Sequence, residues 1–173
     1  MPQNLELKIR VASLPASERI AMKLGANYIS TLQQKDTYYN ISAGRLKLRE
    51  IQNDHAELIY YQRPNISGGK YSQYTIISVQ YPQTIHRILA SALGTLVVVK
   101  KLRRLYLLEN ARIHFDRVKG LGTFLEFEVI LKQGKKQARA LFQRLCKEFM
   151  ICQADTLRNS YSDMLLKTKK KKA

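Results

Sequence analysis

The chain has 173 residues, of which 45% are hydrophobic and 25% charged. These proportions are normal for one globular domain and exclude an intrinsically disordered chain. Lys and Arg number 30 against 13 Asp and Glu, so the formal net charge is +17 at pH 7. Such an excess predicts an anionic partner, and composition alone leaves nucleic acid, a phosphorylated small molecule and an acidic membrane surface open.

The sequence carries no signal for secretion or membrane insertion. The N-terminal segment, MPQNLELKIR, lacks the apolar core of a secretory signal peptide, and no stretch approaches the roughly 20 apolar residues that span a bilayer. We therefore expect a cytoplasmic protein with no membrane partner.

Residue periodicity predicts a β-rich chain with several helices. Polar and apolar residues alternate over residues 4–11, which is typical of a strand with one buried face. Pro15 and Gly25 bound a segment with helical apolar spacing. By the same criteria, we predict strands over residues 28–32, 37–40, 45–51, 58–63, 71–79, 95–106, 111–118 and 124–131, and helices over residues 82–93, 135–149 and 161–166.

These elements, with roughly eight strands among them, predict an α+β fold, namely a closed or nearly closed eight-stranded antiparallel β-barrel with flanking helices. The barrel domain is expected to occupy residues 1–166. Residues 167–173 contain Lys167 and Lys169–Lys172 and are predicted to form a basic flexible tail. A nuclear address or a nucleic-acid contact is the alternative interpretation of this lysine run.

One face of the predicted strands carries charge, while the other is almost entirely aliphatic. Arg45, Lys47 and Arg49 share a face, as do Lys101 and Arg103. Like charges two positions apart on a strand repel one another unless an anion lies over them. A barrel of about eight strands can hold one small ligand. These rows therefore predict an anion bound inside the barrel, with the aliphatic faces turned outward against the helices.

The acidic residues are grouped in a similar way. Glu126 and Glu128 lie on one strand, and Asp116 lies on the strand before it. Glu6 lies beside Lys8 on the first strand. Neighbouring carboxylates suit Mg²⁺ and Mn²⁺, and Mg²⁺ also engages substrate phosphates. The two groups together indicate metal and polyphosphate, while a solvated barrel exterior with cross-strand salt bridges is the alternative.

Eight short segments of the chain carry a family resemblance. They are N-L-E-L-K at 4–8, Q-K-D-T-Y-Y at 34–39, G-R-L-K-L-R at 44–49, Y-Q-R-P at 61–64, K-L-R-R-L-Y at 101–106, R-I-H-F-D at 112–116, G-L-G-T-F-L-E-F-E at 120–128 and S-Y at 160–161. In this order and spacing they resemble the CYTH superfamily, also called triphosphate tunnel metalloenzymes. That superfamily includes class IV adenylyl cyclases and thiamine triphosphatases.

The resemblance implies an eight-stranded tunnel in which basic side chains bind a triphosphate and acidic side chains hold Mg²⁺ or Mn²⁺. The implied phosphate-binding residues are Lys8, Lys47, Arg49, Arg63, Lys101, Arg103 and Arg112. The implied metal ligands are Glu6, Asp116, Glu126 and Glu128. The guanidinium of Arg can donate two parallel hydrogen bonds to phosphate oxygens, and the ammonium of Lys binds them as a compact charge. No residue is assigned as catalytic.

Asn4 departs from the E-x-E-x-K signature of the superfamily, because residues 4–8 read N-x-E-x-K. An amide oxygen can ligate a metal ion, but it brings no negative charge. We therefore expect Asn4 to affect metal affinity, metal choice and catalytic competence.

Three other residues have two interpretations each. His114 falls on the inward face between Arg112 and Asp116, where it has either a proton-transfer role or a structural hydrogen bond. Tyr38 and Tyr161 either border the tunnel mouth or pack as core aromatic residues.

The combined expectation is a metal-dependent enzyme that acts on a nucleoside or organic triphosphate, with inorganic polyphosphate as a further ligand. It would cyclise the nucleotide, as an adenylyl cyclase does, or hydrolyse the terminal phosphate, as a triphosphatase does. Two alternatives stay open: a non-catalytic module that binds triphosphate, polyphosphate or nucleic acid, and a dedicated nucleic-acid-binding barrel. An inward face free of aliphatic residues and the acid cluster argue against the second alternative.

Overall fold

Eight antiparallel strands form a closed barrel in the computed structural model, which describes residues 3–132 and 134–170. The strands are β1 (Gln3–Arg10), β2 (Asn27–Tyr39), β3 (Arg45–Ile51), β4 (Ala56–Gln62), β5 (Lys70–Val79), β6 (Thr95–Leu108), β7 (Ala111–Val118) and β8 (Gly122–Ile130). They pair in the order β1-β5-β4-β3-β2-β6-β7-β8, and β8 pairs with β1 to close the barrel. The predicted α+β fold and its eight-stranded antiparallel barrel are confirmed.

Helices flank the barrel along the described part of the chain. They are α1 (Leu14–Lys23), α2 (Pro82–Leu93), α3 (Lys135–Glu148) and α4 (Tyr161–Lys170), with a 3₁₀ turn at Gln153–Asp155. α1 begins after Ser13, whose hydroxyl oxygen accepts a hydrogen bond from the Ala16 N–H. It ends before Gly25, whose φ of +83° favours a residue without Cβ. Within residues 3–132 and 134–170, no helix combines the length and apolar character needed to span a membrane.

Two elements differ from the sequence-based prediction by more than two residues. β2 is one strand of 13 residues, whereas the sequence predicted two strands separated by residues 33–36. The strand continues through this polar interval because Gln34 and Asp36 point into the barrel, where both are buried. α4 continues to Lys170 and so includes residues 167–170 of the segment predicted as a flexible tail. The end of that segment, residues 171–173, lies outside the described residues.

The main hydrophobic core lies outside the barrel, between its wall and helices α1 and α3. Leu7 of β1, Ile113 of β7 and Phe127 of β8 are buried there and belong to one cluster with Ala21 of α1 and Leu145 of α3. Side chains alternate along a strand, so the residues between these apolar ones point into the barrel. The alternation that builds the core therefore also places charged side chains in the tunnel.

A second, smaller core closes one end of the tunnel. Val99 of β6 and Val118 of β7 point inward there and pack with Phe124 of β8 and Tyr161 of α4. The ring centroids of Phe124 and Tyr161 are 4.9 Å apart. α4 thus fills this end of the tunnel, and a cavity lined by charged residues lies further along it.

Candidate functional site

The tunnel contains a cavity of about 370 Å³ that inward-facing residues of all eight strands line. This volume lies in the range typical of small-molecule sites. Exposed side chains, including Ile76 and His55, mark its open end. Ten of the eleven predicted site residues line the cavity, and the remaining one, Asp116, contacts Arg103 instead. The structure therefore brings the predicted residues together in one place.

One side of the cavity is built around a buried carboxylate that the sequence analysis did not select. Asp36 accepts hydrogen bonds from Lys47 at 2.8 Å, from Lys101 at 3.0 Å, and from Arg49 at 2.7 and 2.9 Å. We call these four residues the Asp36 cluster. Three strands contribute to it, since β2 supplies the carboxylate while β3 and β6 supply the cations. With three cations to one anion, the cluster has an excess of positive charge.

Burial disfavours the charged forms of the side chains in the Asp36 cluster. Burial alone would raise the pKa of Asp36, but the three neighbouring cations outweigh it and hold that pKa well below its usual value. Burial, with repulsion from Arg49, lowers the pKa of Lys47 to about 7. Burial lowers the pKa of Lys101 to about 8, against the attraction of Asp36. A second anion in the cavity would stabilise the charged form of both lysines.

Arg63 of the β4–β5 loop is a buried cation with unused hydrogen-bonding capacity. Its Nη1 donates to Glu6, while its Nε and Nη2 are buried without a partner among the described residues. Leaving a buried donor unpaired costs about 1–3 kcal/mol, so such groups in a native protein usually have a partner. Two N–H groups of one guanidinium match two oxygens of a phosphate. Arg63 is therefore placed to bind an anion in the tunnel.

The other side of the cavity holds a second ionic group, the Glu126 cluster, which comprises Lys8, Arg103, Asp116, Glu126 and Glu128. Arg103 donates to Asp116 at 2.7 and 2.6 Å and to Glu126 at 2.8 Å. Lys8 Nζ lies 3.4 Å from a Glu126 oxygen. Burial would raise the pKa of Glu126, but the neighbouring Lys8, His114 and Arg103 hold it well below its usual value. This cluster has three carboxylates to two buried cations, and Arg112, whose side chain is 40% exposed, lies 3.7 Å from Glu128 at its edge.

The four predicted metal ligands have different surroundings. Asp116 is completely buried, and both its oxygens accept hydrogen bonds, from Arg103 and from the Tyr161 hydroxyl at 2.8 Å. Glu6 is paired with Arg63. Glu126 and Glu128 line the cavity on neighbouring inward positions of β8. Glu128 is the most accessible of the four, since its side chain is 19% exposed, against 9% for Glu126, 8% for Glu6 and 0% for Asp116.

His114 of β7 completes a set of donors suited to a metal ion. Its Nδ1 lies 3.9 Å from a Glu126 oxygen and 3.8 Å from a Glu128 oxygen, and the three ligand atoms all lie within 4.8 Å of one another. His114 Nδ1 is buried and has no hydrogen-bond partner among the described residues. Burial and repulsion from Arg103 lower the pKa of His114, which favours the neutral imidazole. The residues present therefore fit a divalent cation.

The two tyrosines and Asn4 also lie at the cavity. Tyr38 and Tyr161 line it and are 5% exposed, so they combine a place at the tunnel with packing in the smaller core. Asn4 lines the cavity and is 5% exposed, and its Oδ1 has no partner among the described residues. Its backbone pairs with Ile130 of β8, while Glu6 pairs with Glu128. Asn4 is thus one inward position away from the cavity-lining carboxylates.

The inward face carries aliphatic side chains near the open end of the tunnel, contrary to the expectation from the sequence. We call this set the apolar wall: Leu32, Ile51, Ile59, Tyr74, Ile76 and Leu105. The physical reason is position along the strands. Ile51 follows Arg49 by one inward step, and Ile59 lies between Lys47 and Ile76 across the sheet, so the apolar side chains border the charged ones and continue towards the open end. The cavity therefore has a charged interior and a partly apolar mouth.

Lys70 of β5 is an inward lysine with a structural environment. Its Nζ donates to the backbone oxygens of Leu157 at 2.8 Å and Arg158 at 3.2 Å. These contacts attach the segment before α4 to the barrel. The alternation of β5 could have shown that Lys70 points inward, but its carbonyl partners come from a segment 87 residues away.

A closed barrel with inward cations on one side and inward carboxylates on the other is the architecture expected of triphosphate tunnel proteins. Sequence comparison agrees, since the chain belongs to the CYTH domain family, which matches residues 2–161. A Methanocaldococcus jannaschii protein named "Putative adenylate cyclase" is 23% identical over 171 residues, which cover 93% of this chain and 97% of that protein.

Solved structures show the same fold. A Pyrococcus horikoshii protein superposes with a TM-score of 0.80 at 24% identity and covers 92% of this chain and 98% of its own. A Hippeastrum protein, described as a "putative adenylyl cyclase" with a dominant triphosphatase activity, has a TM-score of 0.63 at 16% identity and covers 94% of both chains. At these identities the similarity establishes the fold.

Proposed function

We propose that this protein is a metal-dependent enzyme that binds an organic triphosphate, such as a nucleoside triphosphate, in its tunnel and cleaves one of its P–O bonds. The observation that carries this proposal is the Asp36 cluster, in which three buried cations share a single carboxylate beside a cavity. Burying an unbalanced cation is costly and lowers the pKa of both lysines, so a further anion in the cavity would favour their charged forms. A triphosphate is an anion with enough oxygens to contact all three cations.

The proposed phosphate contacts come from several strands. Lys47, Arg49 and Lys101 approach the chain of phosphates from the Asp36 side, and the two unpaired nitrogens of Arg63 supply a fork for one phosphate group. Arg112 is 40% exposed and lies nearer the solvent. Preorganised cations of this kind favour the charge distribution of the transition state without moving during the reaction.

Glu126 and Glu128 are the proposed core of the metal site. A bound divalent cation would neutralise phosphate charge as the P–O bond breaks. The other two carboxylates of the predicted metal set are proposed to act through arginines. Glu6 orients Arg63, and Asp116 orients Arg103 through two hydrogen bonds.

The apolar wall supports an organic triphosphate over bare inorganic triphosphate. Ile51, Ile59 and Ile76 line the cavity, and Tyr74 offers an aromatic surface beside them. A purely inorganic ligand gains nothing from such contacts, whereas a base or another ring buries apolar area there at about 25 cal/mol per Å². The triphosphate would then lie in the charged interior, with its organic group towards the open end.

The nucleophile decides which product forms. Cyclisation needs a ribose hydroxyl aligned with the α-phosphorus, and hydrolysis needs a water molecule aligned with the γ-phosphorus. The names of the Methanocaldococcus and Hippeastrum relatives support adenylate cyclase and triphosphatase chemistry in this fold. Both reactions use the same contacts to the phosphates and the same metal site.

A substrate screen tests this proposal. ATP, GTP, thiamine triphosphate and inorganic triphosphate would be supplied with Mg²⁺ or Mn²⁺, while phosphate release, cyclic nucleotide formation and the melting temperature are measured. We expect turnover of at least one organic triphosphate, and a larger rise in melting temperature with it than with inorganic triphosphate. A folded protein that shows neither turnover nor a shift at millimolar ligand would contradict the proposal.

The same screen distinguishes an enzyme from a non-catalytic module that only binds triphosphate. A clear rise in melting temperature without product under any metal condition would identify a triphosphate-binding module. Arg63→Lys is the matched control, because it keeps the charge beside Glu6 but removes the guanidinium fork. A shift that Arg63→Lys leaves unchanged would mean that the ligand binds elsewhere.

A further inference from the structure

His114 is the buried residue whose surroundings the proposed function does not yet explain. Its side chain is 4% exposed, and its Nδ1 has no hydrogen-bond partner among the described residues. A buried histidine nitrogen normally has a hydrogen-bond partner, and even the half-buried His86 has one here, the Tyr39 hydroxyl at 2.9 Å. His114 Nδ1 instead faces two carboxylates that are both too distant for a hydrogen bond.

The two separations between His114 Nδ1 and the carboxylates are short enough for ligands that share one ion. Metal–ligand bonds of about 2.0–2.2 Å allow two ligands of one ion to lie up to about 4.4 Å apart. Nδ1 lies 3.9 Å from Glu126 and 3.8 Å from Glu128, which is within this limit. Two carboxylates balance the charge of a divalent cation, and a neutral imidazole adds a ligand without adding charge.

We propose that His114 is a metal ligand, together with Glu126 and Glu128, and that it makes the site selective for a first-row transition-metal dication such as Mn²⁺ over Mg²⁺. This inference rests on the proposed function, because it concerns the metal of the same tunnel. It assigns the metal a nitrogen ligand in place of Glu6, which is paired with Arg63, and of Asp116, which does not line the cavity. Glu126 also accepts a hydrogen bond from Arg103, but it lies beside His114 Nδ1 at the cavity.

Ligand chemistry supplies the selectivity. Mg²⁺ prefers oxygen ligands in a near-ideal octahedron and keeps several waters, whereas imidazole nitrogen suits first-row transition metals such as Fe²⁺, Ni²⁺ and Zn²⁺, with Mn²⁺ the weakest binder of that series. Mn²⁺ accepts carboxylate oxygens as readily as Mg²⁺ does, and it tolerates a nitrogen ligand. The neutral amide of Asn4 acts in the same direction, because it leaves the site with fewer negative oxygens to attract Mg²⁺.

Electron paramagnetic resonance tests the inference without measuring activity. Mn²⁺ would be titrated into the full chain, and pulsed measurements would detect magnetic coupling to a coordinated ¹⁴N nucleus. We expect one bound Mn²⁺ with ¹⁴N coupling typical of imidazole, and a weaker affinity for Mg²⁺ in competition. Bound Mn²⁺ without ¹⁴N coupling, or no Mn²⁺ binding at millimolar concentration, would overturn the inference even if no variant could be purified.

His114→Asn provides the variant, because its amide oxygen can take the place of Nδ1. The ¹⁴N coupling should disappear, and the ratio of Mn²⁺ to Mg²⁺ affinity should fall by at least about tenfold, since even losing a partner of a metal ligand costs that much. His55→Asn is the matched control. His55 also lies beside two carboxylates, at 3.0 Å from Asp54 and 3.3 Å from Glu57, but its side chain is 47% exposed.

The His55→Asn control and an assay of anion binding distinguish a wrong metal assignment from a wrong proposed function. Loss of ¹⁴N coupling in His55→Asn, with coupling retained in His114→Asn, would overturn the assignment of His114. The melting temperature with inorganic tripolyphosphate in the presence of EDTA tests the anion site alone. A shift in that assay without ¹⁴N coupling in the Mn²⁺ experiment would remove this inference and leave the proposed triphosphate site standing. Absence of the shift would instead count against the proposed function.

Discussion

The Asp36 cluster and the Glu126 cluster are built from the same kinds of residue but have opposite charge balance. In the Asp36 cluster three cations surround one carboxylate, and in the Glu126 cluster three carboxylates face two buried cations, with the exposed Arg112 beside Glu128. Lys101 and Arg103 occupy successive inward positions of β6, yet each belongs to a different cluster. The cluster to which each cation belongs is therefore determined by its cross-strand partners and not by its position along one strand.

The difference between the clusters suits a ligand that carries both signs of charge. A fully paired buried network would mainly stabilise the fold, and its individual pairs would contribute little net energy. Each of these clusters instead leaves an imbalance facing a cavity. A metal–triphosphate complex supplies the anion that one cluster needs and the cation that the other needs.

Removing the carboxylate of the Asp36 cluster should have the largest effect. In Asp36→Asn the three buried cations lose their only shared anion, and we expect a loss of about 3–5 kcal/mol in the free energy of unfolding. Inorganic tripolyphosphate should recover part of this loss, because it replaces the missing charge. Urea unfolding with and without tripolyphosphate would measure both effects. The exposed Asp54→Asn is the control, and equal stability of the two variants would contradict the role of Asp36.

Shortening Arg63 should have the next largest effect, and it acts on the ligand rather than on the fold. Arg63→Lys keeps a cation beside Glu6 but cannot supply the two free N–H groups. A charge-assisted hydrogen bond contributes about 1.5–3 kcal/mol, so triphosphate affinity should fall roughly tenfold or more. Calorimetry on both proteins would measure this change, with the exposed Lys169→Ala as the control. Similar losses in both variants would indicate diffuse surface attraction.

The sequence predicted the barrel and the direction of its charged side chains because both depend on a period of two along each strand. The segments Arg45–Ile51 and Ala111–Val118 agree with their predicted bounds, since clear turns flank them. Once the strands are defined, alternation determines that Lys47 and Arg49 point inward. Ten of the predicted site residues consequently line the cavity.

The partners of those side chains could not be predicted in the same way. Asp36 contacts Lys101, which is 65 residues away, because barrel closure places β2 beside β6. Lys70 resembles the other inward lysines in sequence, but its amine contacts backbone oxygens before α4. His114 lay on the correct face, and only the positions of Glu126 and Glu128 show what it faces. Pairing across a barrel depends on register between distant segments, which local patterns do not encode.

The two lysines of the Asp36 cluster predict a smaller effect that depends on pH. Burial lowers the pKa of Lys47 to about 7 and that of Lys101 to about 8, so at pH 8 both are partly neutral in the folded protein. A bound triphosphate favours their charged forms and raises both pKa values. Binding at pH 8 should therefore take up protons, and affinity should fall several-fold as pH rises from 7 to 9.

Calorimetry in buffers with different ionisation enthalpies would measure this proton uptake. Lys47→Arg is the control, because an arginine remains protonated throughout this range and should reduce the uptake. The lysines also affect the unliganded protein. An unfolded chain holds more protons than the folded one from about pH 7 to the usual lysine pKa of 10.5, so their contribution to stability should rise with pH over this interval. Proton release on binding would contradict this prediction.

The smallest predicted effect concerns Asn4, where a substitution would make the Glu126 side of the cavity still more negative. Asn4 is buried, its Oδ1 has no partner among the described residues, and its neighbour along the inward face, Glu6, pairs with Glu128 across β1 and β8. Asn4→Glu should raise Mg²⁺ and Mn²⁺ affinity several-fold, because an added carboxylate attracts a divalent cation. Mg²⁺ should gain more than Mn²⁺, since the new ligand atom is an oxygen.

The same carboxylate should destabilise the metal-free protein, because it adds a buried negative charge near Glu6 and Glu128. Stability without metal should therefore fall slightly while stability with metal rises, a crossing that an exposed position would not produce. Metal titrations followed by calorimetry, with thermal unfolding in EDTA, would measure both parts. Asn4→Gln matches the length of the new side chain without its charge and should show neither effect. If Asn4→Glu and Asn4→Gln bind metal equally well, residue 4 is too far from the ion to affect its binding. The negative charge of the Glu126 cluster would then not act at position 4.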